Sequence, residues 1–407
     1  MFIHKHAINF GAKLWKDFVN DMVKKRAQEV FIPGALPEST YVTRKMKIGF
    51  TYEERLKQAL SMNGYLTSIS GPSKIGKTVL CEKVIGLEHL VEVSGSDFKD
   101  EKNLWFQLGI KAGMPSEGEF TTDGNTGNAA SETYVLTKDN VMEYYKQHDF
   151  VLLLDDFHYA EKKMQIYMAQ QFKDAIRKGF KVIVASLPHR SDDAIRTNPD
   201  LQGRISIIDI DAWSKEELRE IPIKGFGELG IRISEENIDR LVEESICSPQ
   251  LMQLICLNIC ILEGSDEKIV NFVKDETIEK AFRFSTLNLD YEKIAYTIKQ
   301  GKNPRGKGRK SYQTKNLGTL DLYGLILEAI AIDPPIVSVD FDGLMNRILL
   351  LVSGEEKPTA KSLKDYLQNL QEVLAEKGRS YEVIEWKDNV LYILESLFLF
   401  YLRWGRI

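Results

Sequence analysis

The octet Gly71-Pro72-Ser73-Lys74-Ile75-Gly76-Lys77-Thr78 has the spacing G-x-x-x-x-G-K-[ST], and these residue types suit phosphate chemistry. Two glycines let the backbone approach an anion closely, so that successive N–H groups curl around phosphate oxygens. A helix starting near Lys77 adds its positive end. Lys77 then reaches the β- and γ-phosphates as a point charge, and Thr78 offers a hydroxyl to Mg²⁺. With Val79, the run 71–79 is the expected cofactor cradle.

Such a site needs an acid at the tip of a second buried strand. Val151-Leu152-Leu153-Leu154-Asp155-Asp156 supplies two. Asp155 is expected to hold Mg²⁺ directly or through water, and Asp156 to polarise the attacking water. A third apolar run, 182–186, leads into Ser186-Leu187-Pro188-His189-Arg190. Ser186 could sense the γ-phosphate or bind the attacking water, and Arg190 could do so by charge. Arg196 and Arg204 follow. An arginine that reaches a neighbouring subunit's γ-phosphate stabilises transition-state charge. Lys77, Asp156, Ser186, Arg190 and Arg204 are therefore the catalytic candidates. His158 reads more readily as a structural histidine than as a catalytic one.

The elements that must position these residues follow from periodicity. Short, partly β-branched runs at 65–70, 90–93, 150–154, 181–186 and 205–210 read as strands. Helical patterns at 52–63, 77–87, 98–112, 137–147 and 161–178 lie around them. Strands alternating with helices imply a parallel sheet with helices on both faces. The polar stretch 115–133 reads as a surface loop. From 213 the strands stop. Ser214-Lys215-Glu216-Glu217 is a capping box, Ser234 opens a second helix, and Pro249 sits where a helix start tolerates proline. A longer helical stretch covers 275–299. Residues 299–316 hold seven basic residues and no acid, and read as a flexible basic linker. Three helices at 320–331, 341–352 and 361–376, then a hairpin at 381–394, suggest a winged-helix-like module. The apolar run 397–404 should dock into a core or a partner.

The chain has 407 residues, 43% hydrophobic and 28% charged, which fits an ordinary globular protein of two or three domains and argues against wholesale disorder. Cys81, Cys247, Cys256 and Cys260 form no CxxC pair, so a disulfide scaffold is not expected. No apolar stretch approaches the ~18 residues of a membrane span. The opening Met-Phe-Ile-His-Lys-His lacks a signal-peptide core. These features lead us to expect a cytoplasmic protein with no membrane contact. The net charge of −5 argues against a generally basic nucleic-acid binder, though not against a local basic patch.

The phosphate loop, the strand ending in Asp155-Asp156, the polar strand tip with Arg190 and the helical run that follows resemble AAA+-related P-loop ATPases. They are most similar to the STAND branch and to archaeal replication-initiator-like ATPases. The resemblance spans roughly 40–265, with a weaker winged-helix likeness over 320–404. It implies a sheet in 5-1-4-3-2 order, a helical lid, ATP with Mg²⁺, and nucleotide-driven assembly. It also implies an arm at 1–40, an ATPase core at 41–212, a lid at 213–298, a linker at 299–319 and the winged-helix-like end at 320–407. Residue by residue, Lys77 and Thr78 match the phosphate and magnesium ligands, Asp155 the metal-organising acid, Asp156 the second acid and Arg190 the sensor arginine. Pro249 matches the lid proline that approaches adenine. Two departures stand out: Asp156 occupies a position that many hydrolysing relatives fill with Glu, and Ser248 precedes Pro249 where Gly is usual. The shorter Asp156 side chain implies slow turnover.

The resulting expectation is an ATP-dependent switch that self-assembles or engages a separate effector, by analogy in bacterial anti-phage defence. The alternative is a DNA- or RNA-associated ATPase using the winged helix and the cations of 299–316. A scaffold that binds ATP but scarcely hydrolyses it is a third reading.

Overall fold

Five short runs rich in valine, isoleucine and leucine form the central sheet: β1 (Leu66–Ser70), β2 (Leu90–Ser94), β3 (Val151–Asp155), β4 (Val182–Ser186) and β5 (Ile205–Asp209). The computed structural model describes residues 25–98, 101–115, 136–187, 193–196, 198–302, 308–375 and 383–405. The strands lie in the order β2-β3-β4-β1-β5 and every pair is parallel, which is the 5-1-4-3-2 order read from the other edge. β1 and β4 are buried along their whole length, whereas the edge strands β2 and β5 alternate buried and exposed positions. Burial on both faces gives β3 and β4 near-continuous apolar runs, whereas β1 buries Thr67, Ser68 and Ser70 as well. Helices Tyr52–Leu60, Lys77–Ile85, Leu104–Lys111, Lys138–Gln147 and Lys162–Arg177 flank the sheet. Trp105 packs edge-on to Phe172 and Phe180, with ring centroids 6.2 and 5.7 Å apart. That cluster fixes two of the helices against the strand edges. The sequence stretch 115–133 falls almost wholly outside the described residues.

Thr43–Ala212 form one compact unit, and the described residues up to Val42 join Trp213 onward in a second. In the second unit, helices Lys215–Glu228, Glu235–Glu244, Pro249–Glu263, Asp275–Ser285 and Glu292–Gln300 pack together. Both sides of the expected Ser214 capping box form. The stretch 275–299 is two helices rather than one, broken at 286–291. The segment 27–42 packs here. Phe31 lies edge-on to Phe226 at 5.1 Å. Gly225 makes this approach feasible, because a Cβ there would fall 2.2 Å from the Phe31 ring.

The C-terminal part begins with a two-stranded ribbon, β6 (Ser311–Gln313) and β7 (Thr319–Asp321). Helices Leu322–Ala331, Phe341–Leu351 and Ala360–Ala375 follow, with β8 (Ser338–Asp340) between the first two. β9 (Ile384–Lys387) and β10 (Val390–Ile393) complete an antiparallel sheet in the order β8-β10-β9. The hairpin turns at Asp388 and Asn389, both in the left-handed region with φ of 50° and 60°. That pair suits the right-handed twist of the strands.

The described ends of the expected flexible linker, 299–302 and 308–316, are built into the fold instead. β6 lies inside the second of them, and Tyr312 is only 3% exposed. Four of the segment's cations are also paired: Lys299 with Glu328, Lys302 with Glu372, Arg309 with Asp321 and Lys310 with Glu356. The apolar run at the end forms helix Ser396–Trp404 and is buried as expected, with Phe400 and Trp404 against Phe282. Among the described residues no helix is long and apolar enough to cross a membrane.

Candidate nucleotide site

β1 runs into the phosphate loop at Ser70, and the loop runs into helix Lys77–Ile85. Gly76 caps that helix with φ +98°, a conformation that glycine adopts at little cost. Lys74 also takes a positive φ, 59°, without glycine's freedom. Gly71 sits tightly against strand β5's exit, where a Cβ would lie 3.1 Å from the Ile210 carbonyl oxygen. The Gly71 N–H donates to the Ser186 carbonyl at 3.3 Å, which joins the loop to the tip of β4.

Lys77 is 7% exposed, and its Nζ donates to the Gly71 and Pro72 carbonyls at 3.0 and 2.9 Å. The loop is thus curled around its own lysine. A triphosphate offers stronger acceptors, so binding trades those two carbonyls for charge-assisted bonds. Thr78 donates its hydroxyl to Asp155 Oδ2. The residues expected to organise magnesium therefore meet directly, although 77 positions separate them in the chain. A hydroxyl and a carboxylate form a hard oxygen pair. Mg²⁺ binds through few protein ligands and completes its shell with water and phosphate oxygens, so this donor set fits it.

Asp156 follows in the left-handed region, φ 48° and ψ 41°, and its N–H donates to Asp155 Oδ1 at 2.8 Å. Loss of surrounding water raises the Asp156 pKa above its ordinary value. The neighbouring Asp155 charge adds to that, while Lys77 and Lys74 oppose it. A carboxyl pushed upward beside the Lys77–Thr78 loop is a candidate base. Gly95, just past β2, supports this turn from behind. A Cβ there would lie 2.6 Å from the Asp156 carbonyl oxygen and 2.9 Å from Phe157 Cα.

The strand ends therefore bring Lys77, Thr78, Asp155, Asp156 and Ser186 to the C-terminal end of the sheet's interior strands, with Ser186 beside Ser70 and fully buried. Arg190 lies outside the described residues. Arg204 does not join this site. Its carbonyl accepts from the Leu66 N–H at 2.9 Å, at the opposite end of β1 from the phosphate loop. Four residue steps of strand, about 13 Å, separate the two ends. Arg196 is engaged within the chain, donating to Asp209 Oδ1 at 2.8 Å. Pro249 opens its helix in the second unit. Ser248 is fitted for that start, since its hydroxyl accepts from the Leu251 N–H at 3.2 Å. His158 belongs to the short turn after Asp156, with its ring 4.2 Å from Tyr159. Cys81, Cys256 and Cys260 are buried, and burial pushes the Cys260 thiol up to about 12. Cys247 is exposed.

Two contributors escaped the sequence reading. Gly95 lies between the expected strand 90–93 and the expected helix 98–112, and only the close approach reveals it. Asp209 ends an apolar run, Ile205-Ser206-Ile207-Ile208-Asp209, much as Asp155 does, and that parallel was the available signal.

No protein-family model and no curated protein sequence matches the chain. Among solved structures it is similar to Cdc6p from Pyrobaculum aerophilum, at 14% identity and TM-score 0.46, covering 92% of this chain and 97% of that one. It is also similar to a Walker-type ATPase of Pyrococcus abyssi, at 16% identity and TM-score 0.47, covering 86% and 94%. RuvB of Thermotoga maritima shows 13% identity and TM-score 0.40, covering 84% and 90%. At this distance the likenesses carry no argument about activity, which rests on the site geometry.

Proposed function

We propose that the chain is an AAA+/STAND-like ATPase that binds MgATP at 71–79 and hydrolyses it slowly, acting as a nucleotide-dependent switch. The observation that carries this reading is the meeting of Thr78 with Asp155, beside a lysine poised on the phosphate loop. Lys77 binds the β- and γ-phosphates, Thr78 and Asp155 hold the metal, and Asp156 polarises the attacking water. Mg²⁺, when bound, supplies charge neutralisation on the phosphates. Ser186 lies at the loop's root and hydrogen-bonds the attacking water or γ-phosphate. Arg190 contributes charge at the sensor strand, and Arg204 serves a neighbouring copy. The shorter reach of Asp156 than Glu supports low turnover. The biological setting we favour is cytoplasmic, in bacterial anti-phage defence, with a second copy or a separate effector as partner.

The C-terminal order of helix, strand, two helices and hairpin supports a winged-helix assignment. The nucleic-acid reading gains little from it. Four of the seven cations in 299–316 are paired with acids. Helix Ala360–Ala375 carries Lys361 and Lys364 against Asp365 and Glu372. Size analysis with and without ATP tests the switch: a larger species that forms only with nucleotide supports it, and an unchanged profile opposes it. Salt-sensitive DNA or RNA binding at low ionic strength would instead favour the alternative.

A further inference from the structure

The phosphate loop is held at its root by a second acid. Ser70 is the last residue of β1 and is 7% exposed. Its hydroxyl donates to Asp209 Oδ1 at 2.5 Å. The same oxygen receives Arg196 Nη2 at 2.8 Å. The main chain repeats the clamp, since the Ile210 N–H donates to the Ser70 carbonyl at 2.7 Å. Asp209 thus ties the start of the loop to helix Asp193–Arg196, which comes after the tip of β4 in the chain. The Arg196 side chain is 28% exposed and that of Asp209 62%, so the ion pair by itself is worth little. The contact that matters is the buried Ser70 hydroxyl, whose direction Asp209 sets.

We infer that Asp209 is a positioning residue for nucleotide binding, which fixes Ser70 at the root of the phosphate loop and couples it to Arg196. The inference rests on the ATP-binding reading and adds a residue to it. Arg196 works within its own chain through Asp209, and not as a finger toward a neighbour. The loop N–H groups must point at phosphate oxygens together, and a root free to rotate disperses them. Asp209 itself touches no phosphate, so its loss should weaken binding more than it slows turnover of bound nucleotide. The resting pose of Lys77 on the Gly71 and Pro72 carbonyls makes the same demand. Those carbonyls lie one and two residues beyond Ser70, and they must hold their direction when the ammonium leaves them for a phosphate.

The test is MgATP titration calorimetry and steady-state phosphate release on the full chain, with Tm as the fold control. Asp209→Ala is expected to weaken ATP about tenfold, as for a lost hydrogen bond to a charged group. It should raise KM in proportion while kcat changes less than twofold. Asp209→Asn keeps an acceptor for Ser70 and should recover most of the affinity. Arg196→Ala should weaken ATP less than Asp209→Ala does, and combined with it should add nothing further. If Asp209→Ala does not fold, Ser70→Ala removes the same hydrogen bond and should reproduce the loss. Wild-type affinity in Asp209→Ala or Ser70→Ala with a lowered Tm would reduce the cluster to a structural role and overturn the inference. So would additive losses in the double variant. Wild-type protein that binds no ATP would instead remove the nucleotide reading, and this inference with it.

Discussion

Removing the Glu244 carboxylate should destabilise the second unit strongly. Glu244 sits in the last turn of helix Glu235–Glu244, four residues before Ser248 and Pro249. Arg403 from the terminal helix grips it with Nε to Oε2 at 2.9 Å and Nη2 to Oε1 at 2.6 Å, and Trp404 Nε1 adds a bond of 2.6 Å. The Arg403 side chain is 8% exposed and that of Glu244 12%. Deleting one partner of a buried pair costs about 3–5 kcal/mol, because the other charge stays buried. Arg403 retains the Ala331 carbonyl and the exposed Asp333 carboxylate. The low end, about 3 kcal/mol, is therefore expected for Glu244→Ala. For a unit of this size that lowers Tm by about 6–12 °C. Scanning calorimetry at neutral pH reads it directly. Arg403→Ala should cost a similar amount, and the double variant much less than the sum. A Tm within about 2 °C of wild type, or full additivity, would refute the claim that this pair locks the terminal helix to the helix end before Pro249.

Other consequences concern the nucleotide site. Asp156→Asn should abolish phosphate release and raise Tm near neutral pH. A carboxyl whose pKa is raised in the folded state favours folding only when protonated, and that contribution is lost as pH rises through the raised value. A lowered Tm in Asp156→Asn would contradict this. For the same reason the hydrolysis rate should fall on acidification at a pH above the ordinary aspartate range, and a flat profile there would count against Asp156 as the base. Gly95→Ala forces a Cβ into the Asp156 turn. It should cut turnover at least tenfold while ATP affinity stays near wild type, measured by phosphate release alongside calorimetry. Thr78→Ala should remove the magnesium-dependent part of ATP affinity and leave the metal-free part, tested by titration with and without Mg²⁺.

The α/β sheet and most of its helices were legible because buried parallel strands such as β3 are near-continuous apolar runs, and Leu152-Leu153-Leu154 admits few other readings. The octet 71–78 and the pair Asp155-Asp156 stood out by residue type and spacing, and the structure brings Thr78 and Asp155 together. β6, β7 and β8 were not, since strands of three residues show no period, and Ser338-Val339-Asp340 looks like any loop. The basic segment misled for a related reason. Composition counts charges but not their partners, and Glu328, Asp321, Glu356 and Glu372 are supplied from elsewhere in the chain. The dual role of Ser70, as strand end and loop anchor, depends on Asp209 from 139 positions away. Close approaches such as Gly95 to Asp156 and Gly225 to Phe31 exist only once the elements have packed.

The central claim is that 71–79 with Asp155 forms a MgATP site. Titration calorimetry of wild type and Lys77→Ala with ATP and Mg²⁺ tests it most directly. Saturable one-to-one binding in wild type, lost or weakened at least a hundredfold in a folded Lys77→Ala, is the expected result. Equal ATP affinity in the two proteins would contradict the account.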